Sequence, residues 1–153
     1  MARHSNIVGI ILAGGLSRRM FSGRSGAGAD AQGGGDKTLL DLGEKPMLAY
    51  VTERLRPQVS TLAINANGDP ARFTAFGLPV IADTIDGFVG PLAGVLAGLR
   101  WARENVPDAR WVASVSGDAP FLPADLVSRL AGAVELRGNA IAIAQSGDEV
   151  HPV

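Results

Sequence analysis

A six-residue apolar run near the start, Ile7-Val8-Gly9-Ile10-Ile11-Leu12, constrains this chain more than any other stretch. It reads as a short buried strand, rich in β-branched residues. It breaks at Ala13-Gly14-Gly15, continues through Ser17-Arg18-Arg19-Met20, and reaches Gly35-Asp36-Lys37-Thr38 after a glycine-rich stretch. Small residues let backbone N–H groups approach an anion, and the arginines and Lys37 supply countercharge. A tight strand-to-helix turn with exposed basic residues accounts for the glycine pair alone equally well. Two familiar phosphate loops are excluded by motif. The dinucleotide pattern G-x-G-x-x-G fails because Gly14 and Gly15 are adjacent, and the Walker pattern fails because Asp36, not Gly, precedes Lys37.

Further along, strand-like and helix-like segments alternate. Residues 38–42 read as extended. Pro46 opens a helix whose Met47, Leu48, Val51 and Leu55 recur at helical spacing until Pro57. Residues 61–65 form a second strand, 71–76 a short helix and 78–82 a third strand. A long helix starts at Pro91 with the stripe Leu92, Val95, Leu96 and Leu99. Residues 111–116 are a fourth strand, a helix follows from Pro123, and 140–144 are a fifth strand. This alternation predicts an α/β fold: a three-layer, Rossmann-like, mostly parallel sheet with helices on both faces.

In such sheets ligands bind beyond the carboxyl ends of the strands. Those ends carry Gly14 and Gly15, Asn65, Asp83 and Asp118, which should gather along one edge. Cations beside the first strand and carboxylates beside the third and fourth suit a magnesium nucleotide, since an Asp holds a hard cation through oxygen. Singly, each residue has a plainer role. Asp118 could cap the helix near Pro123, Asp83 and Asn65 could be turn formers, and Lys37 could be a solvated lysine. Their coincidence at successive strand ends favours the joint reading.

Composition narrows the rest. The 153 residues fit one domain, and 46% hydrophobic with 19% charged residues is a globular composition. A net charge of −1 offers no bulk reason to expect nucleic acid or an acidic membrane. Without cysteine there are no disulfides, zinc–thiolate sites or thiol nucleophiles. The run at 7–12 is too short for a signal segment, and no window approaches ~20 apolar residues. A cytoplasmic protein without a membrane span is expected. Residues 21–35, rich in Gly, Ser and Ala, read as a flexible insertion.

Taken in order, these motifs resemble a known signature. Leu12-Ala13-Gly14-Gly15, Ser17-x-Arg19-Met20, Asp36-Lys37, Asn65-Ala66-Asn67, Asp83, Gly90-Pro91-Leu92-Ala93-Gly94, Gly117-Asp118-x-Pro120 and His151-Pro152 are similar to the molybdenum cofactor guanylyltransferase family. That family sits within the nucleoside triphosphate transferases of Rossmann-like fold. The resemblance implies transfer of GMP from GTP to a molybdopterin-type cofactor, with loss of pyrophosphate. It implies that Leu12, Ala13, Gly14 and Gly15 line the nucleotide and that Lys37 meets the triphosphate. Arg19 would lie near the phosphates, Asn65 and Asp83 would hold the guanosine, and Asp118 would bind nucleotide and Mg²⁺. Arg19, Lys37 and Asp118 are then the catalytic set. Implied partners are GTP, the molybdenum cofactor, and a recipient molybdoenzyme or other cofactor-biosynthesis protein.

Family members reach Asp-Lys within a few residues of the Arg-x-Met, so residues 21–35 are extra. They also continue past the His-Pro, so a C-terminal truncation is expected. A CTP-dependent or sugar-phosphate nucleotidyltransferase and a non-catalytic nucleotide-binding fragment are the alternatives. Cytidylyl relatives carry Ala-Ala-Gly where this chain has Ala13-Gly14-Gly15, which favours guanine.

Overall fold

The structure is a computed structural model that describes residues 4–14, 36–85, 90–138 and 140–152. The chain opens with β1 (His4–Leu12) and passes through a 3₁₀ turn at Lys37–Leu39 to β2 (Asp41–Leu42) and β3 (Lys45–Pro46). Then come α1 (Met47–Leu55), β4 (Val59–Asn65), a 3₁₀ helix at Pro70–Phe76 and β5 (Val80–Ile81). The remainder is α2 (Pro91–Asn105), β6 (Trp111–Ser116), α3 (Leu126–Arg137), β7 (Ala144–Ser146) and β8 (Glu149–His151). Among the described residues the main sheet has four strands in the order β5-β4-β1-β6, all parallel. This is the expected α/β architecture.

Central position explains the continuous apolar run of β1, because a strand covered on both faces has no solvent side. Ile7 and Ile11 join Leu48, Val51 and Leu55 of α1 and Val127 and Ala131 of α3 in one core. Val8 and Ile10 face the other way, into a second core with Ala63 and with Ala102 of α2. Each large side chain buried in this way contributes roughly 1.5–3 kcal/mol. The three helices therefore divide between the two faces. Helix α2 rides close to the sheet: a Cβ on Gly98 would lie 2.7 Å from Cγ1 of Ile10.

Local chemistry explains where the elements depart from expectation. Residues 38–42 are not extended throughout, because Asp36 accepts from the backbone N–H of Thr38 at 3.1 Å and caps a 3₁₀ turn. The third strand shortens to Val80–Ile81, starting after Pro79, which has no N–H for a ladder. The helix expected from Pro123 begins at Leu126, where the N–H of the next residue, Val127, donates to Gln58 Oε1 at 3.0 Å.

The expected fifth strand over 140–144 does not form. Instead β7 pairs antiparallel with β8 in a hairpin apart from the main sheet. Gly147, at a φ of 57°, and Asp148 form the two-residue loop. Glycine at the first loop position is the chemistry of a tight hairpin turn, and this signal outweighed the Ala-Ile alternation before it. Residues 21–35, read from sequence as a flexible insertion, lie outside the described residues.

Candidate functional site

Strand register builds the site. Leu12 pairs with Asn65 on one side and Ser116 on the other, and Asn65 pairs with Ile81. Four strands thus end level. The residues that follow, Ala13-Gly14, Ala66-Asn67, Ala82-Asp83 and Gly117-Asp118, share one edge. Backbone bonds extend the ladders beyond the strands: Ala13 N–H donates to Asn65 O at 2.8 Å, Ala66 N–H to Ile81 O at 3.0 Å, and Gly117 N–H to Leu12 O at 2.9 Å. Gly14 is exposed, and a Cβ there would meet Ala66 and Asn65 only at 3.9 and 4.0 Å. Its lack of a side chain bares backbone and fills no tight space.

On the β4–β5 side, Asn65 is 4% exposed and donates its amide hydrogens to Ile81 O at 3.1 Å and to Asp83 Oδ1 at 2.9 Å. Asn67 donates to Asp83 Oδ2 at 2.7 Å, and Asp83 returns its backbone N–H to Asn67 Oδ1 at 2.8 Å. Each Asp83 oxygen therefore accepts from one asparagine, and the carboxylate is held in a fixed plane. Helix α2 closes over this group at Gly94, where a Cβ would stand 2.1 Å from Asn65 Oδ1. Glycine there is a packing requirement. The motif Gly90-Pro91-Leu92-Ala93-Gly94 also places Pro91 at the first helical position, after Gly90 at a φ of 82°.

Lys37 lies on the 3₁₀ turn. Its neighbour Asp36 accepts from Thr38 twice, from the backbone N–H at 3.1 Å and from Oγ1 at 2.7 Å. Thr38 is buried, and its methyl lies 2.8 Å from where a Gly117 Cβ would be. The Lys37 turn is thereby wedged against the end of β6. The second oxygen of Asp36 pairs with Arg72 Nη1 at 3.6 Å. Lys37 is half-buried and has no ion pair among the described residues.

Asp118 is exposed, and its Oδ1 accepts from Ser116 Oγ at 2.5 Å. It does not cap α3, whose first helical residue is Leu126. Among the described residues no three His, Cys, Asp or Glu side chains cluster to make a complete metal cage. A single fixed, exposed carboxylate instead suits a cation shared with phosphate oxygens.

The structure thus brings together Leu12, Ala13, Gly14, Lys37, Asn65, Asp83 and Asp118. Gly15 and Arg19 lie outside the described residues. Sequence reasoning missed Arg72 and Ser116. Ser116 sits two residues before Asp118, and that spacing could have flagged it. Arg72 carried no local signal, because its partner Asp36 belongs to a distant segment.

A family model, MobA-like NTP transferase domain, matches residues 9–153. The chain is 52% identical over 153 residues to a molybdenum cofactor guanylyltransferase of Rhodopseudomonas palustris, covering all of this chain and 67% of that protein. It is 50% identical over 147 residues to the protein of the same name from Mesorhizobium japonicum, covering 96% of this chain and 64% of that one. The crystal structure of molybdopterin-guanine dinucleotide biosynthesis protein A from Archaeoglobus fulgidus shares the fold. Its TM-score is 0.62 at 22% identity, over 95% of this chain and 64% of that one. The chain spans about two thirds of the length of these curated relatives. With its matched region running from the first strand to the last residue, and its parallel sheet ending in one polar edge, the chain belongs to the MobA-like NTP transferase domain family.

Proposed function

We propose that the chain binds GTP with Mg²⁺ at the carboxyl edge of its sheet and transfers GMP to a molybdopterin-type molybdenum cofactor, releasing pyrophosphate. The observation that carries this reading is the level ending of β5, β4, β1 and β6, with the Lys37 turn wedged at Gly117. The names of the relatives supply the acceptor and the base.

In this reading the backbone of Leu12, Ala13 and Gly14 lines the nucleotide. The ammonium of Lys37 takes the triphosphate, free of any competing ion pair among the described residues. Asp83, fixed by Asn65 and Asn67, presents its remaining lone pairs to donors on the guanosine. Asn65 acts by holding Asp83 and by facing α2. Asp118, oriented by Ser116, holds the metal together with the phosphates. A Mg²⁺ ion held there would supply countercharge to the phosphates and the leaving pyrophosphate. The acceptor's terminal phosphate attacks the α-phosphorus, and the protein contributes position and countercharge in place of a covalent intermediate. Gly15 and Arg19, outside the described residues, are assigned to phosphate binding by the motif they belong to.

Residues 1–153 act as one nucleotidyltransferase domain, with 21–35 as an insertion. No helix among the described residues is long and apolar enough to cross a membrane. The working location is the cytoplasm, and the product passes to a molybdoenzyme or to another cofactor-biosynthesis protein. Nucleic acid and membrane are not partners.

Calorimetric titration of the chain with Mg·GTP and with Mg·CTP tests the reading. Saturable binding of GTP in preference to CTP is expected. CTP preference would move the chain to a cytidylyl branch, and binding of neither nucleotide by a folded chain would reject the nucleotide site.

A further inference from the structure

Asp36 poses an electrostatic problem. Its side chain is only 6% exposed, and it is covalently next to Lys37. A carboxylate there opposes any polyanion that Lys37 attracts, and a buried charge is costly unless it is paired. Asp36 cannot simply be dispensed with, because it caps the turn that aims Lys37.

Arg72 answers both needs. Its guanidinium lies over the ring of the fully buried Phe73, 5.0 Å from the centroid. Nε donates to Asp69 O at 3.0 Å and Nη2 to Asn67 O at 2.7 Å. Nη1 is left for Asp36 Oδ2 at 3.6 Å. Only a planar fork can serve two carbonyls and a carboxylate from one anchored position. Asn67 in turn holds Asp83. A continuous polar path therefore runs from the Lys37 turn through Asp36, Arg72 and Asn67 to Asp83.

We propose that Arg72 is a positioning residue for polyphosphate: it neutralises Asp36 and locks the Lys37 turn to the β4–β5 edge that holds Asp83. It touches no reacting atom in this account. The inference rests on the nucleotide-binding reading given above.

The test titrates the chain with Mg·GTP and separately with inorganic tripolyphosphate, which has no base. R72M should weaken both by about tenfold, the scale of one lost charge-assisted contact. The double variant D36N/R72M should recover most of that loss, since asparagine still caps the turn but carries no charge. R72K keeps the charge without the fork, so it should also bind more weakly than wild type. Wild-type affinity in R72M or in R72K, or a double variant no tighter than R72M, would each overturn the proposal. A purely structural role for Arg72 would show no rescue by D36N. If the wild-type chain binds neither probe, the nucleotide reading falls together with this one. If it binds and the variant series is flat, only the role of Arg72 falls.

Discussion

The carboxyl edge of the main sheet and the hairpin region over residues 140–152 make opposite use of their side chains. At the edge, Asp36, the stretch carrying Asn65, Asn67 and Arg72, and Asp83 come from three segments and hold one another through charge and hydrogen bonds. Around the hairpin, Ile141 is 75% exposed and Ile143 52%, and the hairpin's side-chain polar contacts are local and exposed: Ser146 Oγ with His151 Nε2 at 2.6 Å and Gln145 Nε2 donating to Gly147 O at 2.9 Å. Buried polar groups must be satisfied collectively, so the edge tolerates little change. Exposed apolar side chains contribute little to folding stability, so the hairpin region should tolerate much.

That contrast can be broken most directly at Asp118. Asp118→Asn should lower Mg²⁺-dependent pyrophosphate release by about 10²-fold or more, read in a turnover assay with the acceptor cofactor. Retained turnover at ordinary Mg²⁺ would remove Asp118 from the metal site. Next, Gly94→Ala would drive a methyl into the Asn65 amide and should cost about 1–3 kcal/mol in denaturant unfolding. A neutral result would mean that the helix α2 contact is slack and that the edge is less constrained than its bonds indicate.

Lys37→Ala should weaken Mg·GTP binding by about tenfold with unfolding unchanged, because its ammonium has no ion-pair partner among the described residues. Unchanged affinity in calorimetry would reject its phosphate role. The smallest effect is expected in the other region. Ile141→Ser should shift stability by no more than about 0.5 kcal/mol in the same unfolding measurement. A loss several times larger would show that residues 140–152 are packed after all.

Legibility from sequence followed the range of the forces involved. The strand at 111–116 is found where expected, and the run at 7–12 falls within β1. Their local apolar patterns are decisive, and burial on both faces leaves no other role for β1. The run at 140–144 failed for the same reason reversed: two isoleucines among alanines bury little, and the Gly147-Asp148 turn offered a nearer antiparallel partner. At the site, the strand-end rule picks out Gly14, Asn65, Asp83 and Asp118 from the sequence, because a parallel sheet places such positions level. The coupling of Asp36 to Arg72 was invisible, since a salt bridge between distant segments leaves no periodicity.

The sequence by itself thus determined the fold class, the buried first strand and the set of residues at strand ends. These depend on hydrophobic spacing and turn chemistry, which act over a few neighbours. Tertiary structure alone decided that Asn65 and Asn67 hold Asp83, that Gly94 makes room for Asn65, and that Arg72 neutralises the carboxylate beside Lys37. Those outcomes depend on which segments the register brings within about 3 Å of each other, a distance no local pattern encodes.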